Sequence, residues 1–257
     1  MTPNMEKDPD LVPSIEKLML IIESIPENIS KECEIEVRLG FLSELEESEC
    51  QMFDSNIGEQ YFNKILSTLR EFKEWREIET TTTTDYYADN LRLTVAKNGS
   101  KSCMEKNRIK DIDFTYDETP FDIRISVSQE IPKDPSEFPK SKKKITKTRR
   151  KNRTSFHHEY WTFDITEVIK SEDDIESTSY EIELELNDCA KALKENPGDV
   201  NVMWIAHSTM LKLRQLVYMC ETPSEETQMI FIKEKIKKAF ITKQGKQSPS
   251  KKEEIIH

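Results

Sequence analysis

Long hydrophobic runs are missing from this chain of 257 residues. No apolar stretch approaches the ~18–20 residues that a helical membrane span requires. The N-terminus also lacks the cationic and apolar regions of a signal peptide. No membrane role is expected, and a cytosolic or nuclear location is the default. Cysteines are few and scattered. Cys33, Cys50, Cys103, Cys189 and Cys220 are odd in number and show no CxxC pairing, which excludes a disulfide framework and a zinc site of that kind. Glycine is scarce at 5 residues, and 35% hydrophobic against 34% charged residues makes a polar chain with a modest core. Positive charge is in deficit: a net charge of −11 argues against a general nucleic-acid binder. The deficit is uneven, because residues 133–153 carry ten Lys or Arg against two acids. A polyanion would have to be met locally.

What is present is alternation. In Cys33-Glu34-Ile35-Glu36-Val37-Arg38-Leu39-Gly40 the charged residues share one face of a strand and the apolar residues the other. Tyr180-Glu181-Ile182-Glu183-Leu184-Glu185-Leu186 repeats the pattern far downstream. Glu is depleted from ordinary strands, so two Glu rows need a reason beyond solvation. If the rows face each other, each like-charge pair at roughly 5 Å and an effective dielectric near 20 costs about 3 kcal/mol. A divalent cation with oxygen ligands is the simplest offset.

Around and between the rows lies a series of elements. Residues 11–25 read as a helix with an apolar stripe of Leu11, Ile15, Leu18, Met19 and Ile22, and 57–74 as a second, capped by Ser55 or Asn56. Residues 44–50 read as an acidic loop. From residue 76 the period falls to two. Strands are expected over 77–88, 91–95, 101–116, 121–131, 142–153 and 155–168, with turns at Asp89-Asn90 and Asn98-Gly99. Helices follow at 189–196, 199–220 and 224–240. Residues 1–10 are expected to be a flexible arm, 11–240 the folded domain and 241–257 a disordered polar tail. His157-His158 reads as a loop or strand-start pair, and the Trp residues as packing.

Eight strands can close a barrel. The fold class expected is therefore α+β: a closed antiparallel eight-stranded β-barrel with a charged interior, packed by flanking helices. Its polar faces carry Glu34, Glu36, Arg38, Arg92, Lys106, Arg124, Glu130, Arg149, Lys151, Arg153, Asp164, Glu181, Glu183 and Glu185. Buried charges without partners are expensive, so such a lumen needs a purpose. Clustered carboxylates bind a hard cation, while Arg and Lys bind phosphate. A metal bridging the two is the equipment of phosphoryl transfer.

Glu34-x-Glu36-x-Arg38-x-Gly40 and Glu181-x-Glu183-x-Glu185 resemble the paired glutamate motifs of the triphosphate tunnel metalloenzymes. Phe121-Asp122-Ile123-Arg124-Ile125-Ser126 through Glu130, then Arg149-x-Lys151-x-Arg153, then Trp161-Thr162-Phe163-Asp164, are similar to the fungal, protozoal and large-DNA-virus RNA 5′-triphosphatases of mRNA capping. The resemblance covers about residues 32–187. It implies dependence on a divalent metal, Mg or Mn, and removal of the γ-phosphate from triphosphate-ended RNA, with nucleoside triphosphates as side substrates. It implies that Glu34, Glu36 and Glu185 hold the metal with Glu181 and Glu183 beside them. Arg38, Arg92, Arg124, Arg149, Lys151 and Arg153 would serve the phosphates, Glu130 the attacking water, and Asp164 a basic neighbour. Lys106 is the expected tunnel lysine, with Arg108 or Lys110 as alternatives. A guanylyltransferase is the implied partner, in trans or fused, and the implied location is nuclear, or a virion or viral factory. The Cys-x5-Arg of cysteine phosphatases and the Lys-x-Asp-Gly of guanylyltransferases are both absent. Another tunnel phosphohydrolase, acting on inorganic, nucleoside or thiamine triphosphate, is the alternative. A non-catalytic polyphosphate or RNA-end binder would not need two Glu rows, since carboxylates repel phosphate.

Overall fold

A computed structural model describes residues 12–24, 32–44, 51–114, 121–141, 144–172, 175–186 and 201–220. The strands in chain order are β1 (Cys33–Glu44), β2 (Gln51–Asp54), β3 (Glu77–Ala88), β4 (Leu91–Ala96), β5 (Lys101–Phe114), β6 (Asp122–Lys133), β7 (Lys147–His158), β8 (Trp161–Glu172) and β9 (Ile175–Leu186). The helices are α1 (Val12–Glu23), α2 (Glu59–Glu71) and α3 (Val202–Cys220). Every strand pairing is antiparallel. The order β1-β6-β5-β4-β3-β7-β8-β9 returns to β1, so eight strands close a barrel and β2 is an extra strand on the end of β1. Closure leaves no open edge among those eight.

The alternation of the strands decides which side is greasy. Ile35, Val37 and Leu39 of β1, Ile123, Ile125 and Val127 of β6, Phe163 and Ile165 of β8, and Ile182, Leu184 and Leu186 of β9 all point outward into one buried cluster. The helices cover it with Ile15, Leu18, Ile21 and Ile22, with Phe62, Ile65 and Leu69, and with Ile205, Met210, Leu213, Leu216 and Val217. The core therefore lies outside the barrel, and the lumen is left to the charges. Trp161 joins α3 to the barrel: its Nε1 donates to Thr209 Oγ1 at 2.9 Å, and Lys212 Nζ sits 3.8 Å from its ring centroid.

The expected elements over the described residues are found, with corrections at their ends. β1 runs four residues past Gly40, and a short β2 follows the acidic stretch read as a loop. Gly40 makes room for β2: a Cβ there would collide with the Asp54 carbonyl oxygen and lie 2.6 Å from the Phe53 ring. Gly58, with φ 82°, precedes α2 in place of the expected Ser55 or Asn56 cap, and Asn56 Oδ1 instead accepts from the Gly58 and Tyr180 amides. The helix expected to reach residue 74 ends at Glu71, and Phe72 beyond it is exposed. The basic strand starts at Lys147 rather than 142 and continues through His158. The hairpin turn lies at Glu159-Tyr160, where Glu159 takes φ 49°. The alternation carries on through Ser155 and His157, which is why the strand does not break at 154. The expected helices at 189–196 and 224–240, the N-terminal arm and the polar tail lie outside the described residues.

Candidate active site

The lumen holds two connected compartments. One, of about 440 Å³, is lined by eight cations (Arg38, Arg92, Lys106, Arg108, Lys147, Arg149, Lys151 and Arg153) against five acids (Glu34, Glu36, Asp85, Glu183 and Glu185), with Thr81, Thr83, Thr94 and Tyr87 between them. The other, of about 610 Å³, is acidic: Glu32, Glu34, Glu79, Glu130, Asp164 and Glu185 face Arg153 and His157. Both compartments share Glu34, Thr81, Arg153 and Glu185. The tunnel is thus basic towards one end and acidic towards the other.

The Glu rows do not face each other across the lumen. β1 and β9 are hydrogen-bonded neighbours, and their register sets Glu36 opposite Glu185 and Arg38 opposite Glu183. The repulsion survives at the first pair and becomes attraction at the second. Arg38 Nε donates to Glu183 Oε1 at 2.8 Å, and its Nη2 to Glu36 Oε2 at 2.9 Å. Glu183 is also held by Arg153 Nη2 at 2.9 Å. Burial alone would raise the pKa of Glu183, but Arg38, Arg153 and further β7 cations outweigh it and hold the carboxyl far below the usual range. Glu185, two residues on, has no ion pair among the described residues. Burial first, then Glu34 and Asp164, push its pKa up to about 8. Glu36 is raised by burial, with Arg38 opposing. Its Oε1 is buried without an aligned donor, although Arg38 Nη2 lies 2.8 Å away.

The cations of β7 alternate as expected. Arg149 Nη2 donates to both oxygens of Glu181, at 2.6 and 2.5 Å. Lys151 Nζ meets Asp85 at 2.6 Å. Arg153 engages Asp164, Glu183 and Thr166 Oγ1. Arg150, of opposite parity, is exposed and pairs with Glu176. Asp164 is oriented by Ser155 Oγ, which donates at 2.6 Å, and its pKa is raised by burial against Arg153. Lys106 reaches Glu34, Glu130 at 3.2 Å and Glu36 at 3.6 Å, and Arg92 Nη2 donates to Glu130 at 3.2 Å.

Of the expected residues, Arg124 stands apart from the cavity walls. Its guanidinium forms a fork on Asp113, with bonds of 2.7 and 2.9 Å, and lies 4.7 Å from the Phe53 ring centroid. Glu181 is engaged by Arg149 rather than open to the lumen. A bulge between Arg108 and Lys110 explains the poor alternation in β5: Lys106 points inward, Arg108 reaches the cavity beside Asp111, and Lys110 is exposed. His157, the last residue but one of β7, lies at the acidic mouth, where its Nδ1 is 3.0 Å from Thr162 Oγ1. Asp85 escaped the sequence reading. It is 2% exposed, accepts from Thr94 Oγ1 at 2.8 Å, and anchors Lys151. A lone acid at an inward position of a Thr- and Tyr-rich strand was the available signal.

Among the described residues no three of these carboxylates converge on one point as a ready-made metal cluster. The donor chemistry nevertheless suits a hard divalent ion. Glu34, Glu36 and Glu185 lie on adjacent strands, one oxygen of Glu36 accepts no aligned hydrogen bond, and Glu185 has no ion pair among the described residues. No helix of the described residues is long and apolar enough to cross a membrane.

The family described as "mRNA capping enzyme, beta chain" matches residues 5–197. The mRNA-capping enzyme subunit beta of Schizosaccharomyces pombe is 30% identical over 109 residues, 40% of this chain and 35% of that protein; the matched part spans about a third of the relative. The structure of the S. pombe Pct1 RNA triphosphatase aligns with a TM-score of 0.64 at 20% identity, over 84% of this chain and 93% of that one. The mimivirus capping enzyme triphosphatase aligns at 0.52 and 18% identity, over 80% and 97%. At those identities the two structures show the tunnel fold.

Proposed function

The chain belongs to the mRNA capping enzyme beta chain family, and from that premise we propose that it is a metal-dependent RNA 5′-triphosphatase. It removes the γ-phosphate of triphosphate-ended RNA and leaves a diphosphate end for capping. The observation that supports this is the meeting of two features in one lumen. The Arg149, Lys151 and Arg153 ladder and the carboxylate seam of Glu34, Glu36 and Glu185 line the same compartment. An anion-binding protein would not bury such a seam, and a metal carrier would not need the ladder.

Each side chain then has a role. Arg149, Lys151, Arg153, Arg38, Arg92 and Lys106 bind the phosphates and offset the charge that develops on the departing phosphoryl group. Their carboxylate partners hold them in fixed positions before substrate arrives: Glu181 holds Arg149, Asp85 holds Lys151, and Asp164 and Glu183 hold Arg153. Glu130, at the acidic compartment, orients the attacking water and accepts its proton. Arg124 acts on the wall rather than on phosphate, fixing the floor next to Arg38. Glu34, Glu36 and Glu185 would hold the divalent ion, magnesium or manganese. Bound there, it supplies Lewis-acid polarisation of a phosphate oxygen. A guanylyltransferase partner and a nuclear place of work follow from the same reading, supported by the relative's description as a capping enzyme subunit.

The test is the product. RNA carrying a labelled γ-phosphate should release one orthophosphate per end and leave a diphosphate, with little dependence on sequence. A monophosphate end, or turnover confined to inorganic triphosphate, would overturn the assignment.

A further inference from the structure

Four side chains of β7 share the inward face: Lys147, Arg149, Lys151 and Arg153. Three of them are bonded to carboxylates. The fourth is not. Lys147 lies half-buried in the basic compartment with no acid in salt-bridge reach among the described residues. It is seated over the Tyr87 ring, 5.7 Å from the centroid, within the range of a cation–π contact. Glu172 and Glu181 favour its charge but are already engaged, Glu172 by Lys170 at 2.5 Å and Glu181 by Arg149. Burial, then Arg149 and Lys170, disfavour its charged form. It is a cation held ready for an anion that the protein does not supply.

We propose that Lys147, seated on Tyr87 at the basic end of the tunnel, is the contact for the first internucleotide phosphodiester of the RNA. It is then the residue by which the enzyme prefers an RNA end to a free nucleotide. This rests on the triphosphatase reading above. Alternate residues of a strand step by roughly 6.7 Å. A triphosphate whose γ-phosphate sits at the carboxylate seam is shorter than the run of three rungs from Arg153 to Arg149, so Lys147, the next rung, lies beyond its α-phosphate. There an RNA presents a nucleoside and then a phosphodiester, and a free nucleotide presents no further phosphate. The polarity of the lumen agrees, since Glu32, Glu79 and Glu130 at the other mouth repel a polyanion. A lysine suits this rung because a single phosphodiester asks for a point charge rather than a fork.

The experiment compares the full chain with Lys147→Gln and Lys147→Arg. Two quantities are read: the ratio of kcat/KM on triphosphate-ended RNA to that on the matching nucleoside triphosphate, and the salt dependence of RNA binding. Lys147→Gln should lower the ratio about tenfold, the scale of one lost contact of about 1.4 kcal/mol, and reduce the salt slope by about one. Lys147→Arg should recover most of both. Equal losses on RNA and nucleotide, or a ratio and slope unchanged from wild type, would overturn the proposal. Should wild type turn over neither substrate, the reaction reading fails by itself. The salt slope of RNA binding then decides the subsite alone: a drop supports it, and an unchanged slope overturns it.

Discussion

Asp85 and Lys151 show how single residues set the lumen's order. Asp85 is almost fully buried, and burial alone would raise its pKa. Lys151, with bonds from Lys151 and Thr94, outweighs burial and holds it below the usual carboxylate range. Replacing it by Asn leaves a buried ammonium without its counter-charge, a loss of about 3–5 kcal/mol for pairs of this kind. A folded-state pKa below the unfolded value contributes stability above the unfolded pKa, near 3.9, and loses it as pH falls through the folded pKa. The stability gap between wild type and Asp85→Asn, measured by urea unfolding, should therefore be widest near neutral pH and shrink as pH drops below about 4. A gap that stays constant or widens in acid would show that the pair is not held as described. The sequence made Glu34, Glu36 and Glu185 legible because charges recurred at period two around a motif, whereas the bulge in β5 left Lys106 open to confusion with Arg108 and Lys110. Asp85 was hidden because its inward neighbours are Thr and Tyr, whose polarity carries no sign. The ion pairs were equally illegible: that Arg149 meets Glu181 depends on which strands lie two apart in the barrel.

At the scale of the element, β7 is defined by parity. Arg149, Lys151 and Arg153 face the lumen, and Arg150 faces out to Glu176. Alanine at each inward position should cost about a hundredfold or more in turnover, the scale of losing one preorganised charge contact. Alanine at Arg150, an exposed ion pair, should cost little. Similar losses at Arg150 and Lys151 would mean that no strand face is presented to substrate. The alternation that made this face readable also told which side of the barrel is greasy. The ends were less readable. The β7–β8 turn carries no Gly, Pro or Asn; Glu159 adopts a left-handed conformation instead. β2 is too short to show a period, and only the clash awaiting any Cβ at Gly40 explains why the glycine of the motif must be a glycine.

The whole molecule is a barrel turned inside out, and its stability depends on what covers the outer wall. Ile205, Met210, Leu213, Leu216 and Val217 of α3 complete the cluster together with α1 and α2, although the family match ends at residue 197. A chain ending at 200 should expose this surface and be lost from the soluble fraction, while one ending at 240 should fold and release phosphate. Equal behaviour of the two would show that α3 is not part of the core. A carboxylate seam holding a divalent ion and a cation ladder together make the proposed triphosphatase. That proposal is tested most directly by γ-phosphate release from triphosphate-ended RNA as divalent metal is removed and restored, in wild type and in Glu34→Ala, Glu36→Ala and Glu185→Ala. Chelation should abolish release, magnesium or manganese should restore it in wild type, and each variant should stay folded but inactive. Undiminished release under chelation, or near-wild-type turnover in any two of the three variants, would contradict the proposal.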